Sequence, residues 1–111
     1  MREFASRFGR AAVDMPVTVR TDRDSFPARS ANIGMGGLFV TTEHPFPVGA
    51  HLTLELELPQ HPEPISLVGE VRWILERDGQ AAGMGMRFVD PPVAATVSIY
   101  GLLQGLDPGA H

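Results

Sequence analysis

The sequence predicts a mainly β domain, an antiparallel barrel or sandwich of five to six short strands followed by one C-terminal helix. Three features carry that expectation. Apolar and polar residues alternate at period two over much of the chain. The alternating runs are short and are separated by clusters of proline, glycine and aspartate. Beyond Asp90 the apolar period lengthens to that of a helix.

The first two strands are read in "MPVTVR" (residues 15–20) and "FPARSANI" (26–33), on either side of the turn "TDRDS". The third, "GGLFVTT" (36–42), is entered through Gly34, Gly36 and Gly37 and ended by "EHPFPVG". Glycines so placed either make a tight strand entry or let a ligand approach the backbone. The fourth, "HLTLELEL" (51–58), alternates without error. Leu52, Leu54, Leu56 and Leu58 share one face, and His51, Thr53, Glu55 and Glu57 share a wet one. "PQHPEP" cannot continue a strand and ends it. The fifth, "ISLVGEVRWIL" (65–75), puts Ile65, Leu67, Val71, Trp73 and Leu75 on one face, so Trp73 is expected in the core. Val68 and Ile74 break its alternation. After the turn "ERDGQ" comes the last strand, "GMGMRFV" (83–89).

In "DPPVAATVSIYGLLQGL", Ile99, Leu102, Leu103 and Leu106 recur at i, i+3, i+4 and i+7, one stripe of a helix. Asp90 is the expected N-cap, with the prolines just inside the start. Gly101, Gly105 and the β-branched Thr96, Val97 and Ile99 weaken this helix. It therefore needs to pack on the strands, as a lid over one barrel end.

A chain of 111 residues makes one domain with a single modest core. Residues 1–10 read as an arginine-rich tail and residues 11–108 as the folded unit. There is no cysteine, which excludes disulfides, thiol catalysis and thiolate metal sites. "MREFASRFGR" lacks the apolar run of a signal peptide, and no stretch is long enough to span a membrane. A cytoplasmic protein without membrane insertion is expected. A net charge of −4 argues against nonspecific DNA or RNA binding, which needs a basic face. All nine basic residues are arginine, and Arg2, Arg7 and Arg10 fall in the first ten positions. Arginine grips phosphate and stacks on flat rings, as lysine does not.

Catalytic patterns are wanting. His44, His51, His61 and His111 show no ligand spacing, and an exposed polar face accounts for His51 beside Glu55 and Glu57. Ser30, Asp24 and His44 form no nucleophile motif. The glycine cluster lacks G-K-[ST] and precedes a strand rather than a helix. A non-enzyme is expected, with no required cofactor and no metal.

The order of motifs is more specific than any one of them. An arginine-rich N-terminus is followed by "NIGMGG", Gly-Leu-Phe, "PVG", an alternating strand, "GEVRW", "GMGMRF" and a helix. From about Arg7 to Leu106 this resembles a PilZ domain. The resemblance implies a six-stranded antiparallel β-barrel with a C-terminal α-helix packed against it, and a role as a bacterial receptor for cyclic di-GMP. The family's motif is R-x-x-x-R before the first strand, then [D/N]-x-S-x-x-G. Here Asn32 and Gly37 match its second half, while Gly34 stands at the serine. Arg10 fits the second arginine, but Ser6 stands four positions earlier and Arg7 only three.

Each half of the motif is thus changed at one position. The implied ligand set is Arg7, Arg10, Asn32, Gly34 and Gly37, with cyclic di-GMP binding expected to be weakened or lost. The expected function is then that of an adaptor, contacting another bacterial signalling or motility protein in motility, polarity or exopolysaccharide control. Phe4, Phe8, Met35 and Phe39 are the candidates for that contact, because exposed aromatics beside arginine anchor interfaces. Two alternatives stand beside it. One is a genuine cyclic di-GMP receptor with a modified site. The other is an unrelated β-barrel that captures a peptide on an edge strand at residues 51–58.

Overall fold

A computed structural model of the chain describes residues 10–59 and 61–106. Six strands form in order: β1 (Ala11–Arg20), β2 (Ser25–Ile33), β3 (Gly37–Thr41), β4 (His51–Leu56), β5 (Ile65–Arg77) and β6 (Gln80–Val89). One helix, α1 (Val93–Leu106), follows. The strands close into an antiparallel barrel in the order β1-β2-β3-β6-β5-β4, with β4 pairing back onto β1. The six-stranded barrel and its terminal helix are those the resemblance implied.

Alternation explains how the barrel fills. Val13, Met15, Val17 and Val19 of β1 point inward, as do Leu52, Leu54 and Leu56 of β4 and Met84, Met86 and Phe88 of β6. Each such side chain contributes about 1.5–3 kcal/mol by leaving water. Leu58 continues the β4 pattern beyond the strand's end and is also buried. Ala95 and Ile99 of α1 join the same cluster, and Leu102 and Leu103 pack against it. The helix thus packs against the barrel core, while the Leu106 side chain lies outside the described residues.

Three sequence expectations are corrected. Trp73 is not in the core: it is 47% exposed. Val71 pairs with Met86 and Trp73 with Gly85, leaving Arg72 as an extra residue in a β-bulge. One inserted residue shifts the alternation, so Trp73 turns outward while Ile74 turns in against the core. Asp90 is not the N-cap. It has a φ of 43°, and the first helical bond runs from the Thr96 N–H to the Pro92 carbonyl, which makes Pro92 the capping position. Finally, residues 51–58 offer no free edge. β4 is paired with β1 on one side and β5 on the other, so the barrel removes the edge that peptide capture needs.

Candidate functional site

The barrel lines up its outward residues in cross-strand rows. Asn32 of β2 stands opposite Phe39 of β3, Phe39 opposite Gly85 of β6, and Gly85 opposite Trp73 of β5. A second row, one pleat along, runs Gly37, Arg87, Glu70 and His51. The sequence motif and the aromatic residues therefore share one outer face.

At one end of the first row, Arg10 donates from Nη1 to Asn32 Oδ1 at 2.7 Å. Two residues that the motif assigns to a common site, twenty-two positions apart, are thus in contact. The bond uses one of five guanidinium N–H groups, and Asn32 stands opposite Phe39 in the same row. Such a combination suits a flat, anionic ligand. Arg7, Phe4 and Phe8 lie outside the described residues.

A device that sequence reading missed supports Asn32. Ser30 pairs with Val40 and Asn32 with Phe39, so Ala31 is an extra residue in a bulge of β2. Ser30 is fully buried, and its Oγ donates to the Asn32 carbonyl oxygen at 2.8 Å. The hydroxyl satisfies a carbonyl at the break in the ladder and holds the bulge that turns Asn32 outward. The available signal was a change of phase: Ala28 and Ser30 are inward at even positions, Ile33 at an odd one.

The glycines divide by role. The Gly34 N–H donates to the Gly37 carbonyl at 2.8 Å, which closes the turn into β3. A Cβ on Gly37 would lie 2.0 Å from the Met86 carbonyl oxygen, so β3 meets β6 only because this residue has none. Met35 between them is half-buried and packs against the core.

Phe39 and Trp73 form an aromatic pair, with centroids 5.4 Å apart and planes at 30°. They lie across glycines. A Cβ on Gly83 would come within 2.1 Å of the Phe39 ring, and one on Gly85 within 2.1 Å of Trp73 Nε1. The "GMGMRF" segment thus provides a bare strip of backbone for two rings to cover. In the neighbouring row Arg87 Nη2 donates to Glu70 Oε1 at 2.8 Å. That bond, with the nearby charges of Arg87 and Arg72, holds the Glu70 carboxyl below the usual carboxylate range. Among the described residues, no group of three or more His, Asp or Glu side chains is placed to hold a metal ion.

Comparison with known proteins agrees with the fold. The family model of the PilZ domain matches residues 5–103. The PilZ domain of YcgR from Escherichia coli, solved with c-di-GMP, superposes with a TM-score of 0.75 at 16% identity, covering 96% of this chain and 92% of that one. The Bacillus subtilis inhibitor of motility (MotI/DgrA) superposes with a TM-score of 0.74 at 19% identity, covering 85% of this chain. This chain spans 47% of that protein's length. No curated protein gives a match. At these identities the structures share the fold, while the family model spans nearly the whole sequence: the chain belongs to the PilZ domain family.

Proposed function

We propose that this domain is a regulatory adaptor of bacterial signalling, in motility, polarity or exopolysaccharide control. It acts without catalysis, in the cytoplasm, through protein–protein contact on the outer face that carries Asn32, Phe39 and Trp73. The carrying observation is the Phe39–Trp73 pair, with Trp73 47% exposed and the rings seated on Gly83 and Gly85. Aromatic groups fixed in this way lose little entropy on binding and serve as anchors of an interface. The similarity to a protein named as an inhibitor of motility supports the same reading.

Cyclic di-GMP binding is weakened in this proposal. Gly34 lacks the hydroxyl of the family motif, which costs on the order of 1 kcal/mol per lost hydrogen bond. Ser6 removes a guanidinium from the other half.

One observation favours a second reading, in which the domain is a receptor with a modified site. Arg10 donates to Asn32, so two residues of the family motif stand together on one face. Calorimetric titration with cyclic di-GMP separates the two. Little or no heat at high micromolar ligand, restored by combining Ser6→Arg with Gly34→Ser, supports the adaptor. Saturable heat in the natural chain that disappears in Arg10→Ala establishes the receptor.

A further inference from the structure

The C-terminal helix is uncharged, and its outer side is mostly apolar, with Gln104 the polar exception. From Val93 to Leu106 it contains no charged residue. Ala95 and Ile99 face the barrel and are buried, yet the opposite side shows Val93 at 79%, Val97 at 63% and Tyr100 at 51% exposure. A helix meant for water carries charge on its outer face, and one that is apolar all round is normally covered. Beside this ridge runs a groove of about 340 Å³ between α1 and the β4–β5 connection, lined by Leu58, Pro59, His61, Ser98, Gly101, Leu102 and Gly105, with Ser98 Oγ 3.3 Å from His61 Nε2. A Cβ on Gly101 or Gly105 would meet nothing within 4 Å. The barrel therefore does not require these two glycines, although glycine is a poor helix former.

We propose that the ridge and groove are covered by a second copy of this chain, docked helix to helix about a two-fold axis. A two-fold interface must be self-complementary, and here the convex and concave features lie on one element. In an antiparallel crossing centred on Ile99, Val97 of one copy falls opposite Gly101 of the other, and Val93 falls opposite Gly105. Each exposed valine then meets a glycine that leaves room for it. Charge permits this occupant along the helix. Each copy carries a net −4, but residues 93–106 bring no charged side chain to the contact, and Asp90 and Asp107 flank its ends in the sequence. A helix of 14 residues is about 21 Å long and covers less than the ~1,200 Å² of a stable interface, so the dimer is weak and reversible.

Sedimentation equilibrium of the full chain, from micromolar to millimolar concentration, tests this. The expected result is a concentration-dependent monomer–dimer equilibrium whose dissociation constant rises at least tenfold in Val97→Arg. Gly101→Leu fills the groove and weakens the dimer similarly, while the melting temperature in dilute solution stays the same or rises. Two results overturn the proposal. A chain that remains monomeric at the highest concentration assigns the face to a different protein. A dimer that both substitutions leave intact pairs through some other surface.

Discussion

Gly36 and Gly37 are adjacent, and opposite constraints act on them. A Cβ on Gly37 would enter the Met86 carbonyl at 2.0 Å, while one on Gly36 meets nothing within 4 Å. Gly37→Ala therefore forces β3 from β6 and is expected to cost about 2–3 kcal/mol. Gly36→Ala restricts the unfolded chain and is expected to be neutral or to stabilise by up to about 1 kcal/mol. Denaturant titration of the pair reads both. Ser30→Ala is expected to cost about 1–3 kcal/mol, because it leaves the Asn32 carbonyl without its buried donor. Glu70 adds a pH dependence. Its folded carboxyl is held below the usual range by Arg87, so this contribution to stability is present above the unfolded pKa and is lost as pH falls through the folded value. In Arg87→Met the Glu70 carboxyl resonance should titrate at higher pH, nearer the ordinary carboxylate value. Of the candidate site, the order of residues singled out Arg10 and Asn32, which are in contact, and Gly37, where β3 meets β6 closely. Ser30 was not legible, because a lone serine in a strand carries no signal until the bulge beside it is known.

At the level of elements, the six strands and the helix followed from alternation and turn residues, and what failed was phase. The strand that holds Trp73 reads as continuous, yet Arg72 is a bulge residue, and Trp73 and Ile74 after it change face. Val68 and Ile74 broke the expected pattern, and Ile74 was the sign of that shift. The consequence is measurable, since Trp73 is the protein's one tryptophan. Its emission should be that of a partly hydrated indole, readily quenched by acrylamide. In Gly85→Ala the new methyl displaces the ring, which would otherwise lie 2.1 Å from it. Emission should then shift further to the red, and any partner held by Phe39 and Trp73 should be lost. Emission as blue as that of a buried indole would return Trp73 to the core. The helix start was misread for a related reason. Asp90 has the right chemistry for a cap but sits in a left-handed conformation two residues too early, and Pro91 and Pro92 complete the turn.

For the whole molecule, closure sets what can move. Each of the six strands is paired on both sides, and the core runs through all of them. The barrel is therefore expected to open only as a unit, with its central amides exchanging at the global unfolding free energy. The helix is held differently. It buries Ala95 and Ile99 completely, leaves its other side open and carries two glycines that favour fraying. Its amides should exchange by a local opening that costs less than global unfolding, and so ahead of those in β5 and β6. If two copies pair through α1, the open helix cannot dimerise, and mass action must raise its protection with protein concentration. The barrel amides, already limited by global unfolding, serve as the internal reference. Hydrogen exchange read by mass spectrometry at dilute and near-millimolar protein should therefore slow more in α1 than in β5 and β6, and Val97→Arg should abolish that difference.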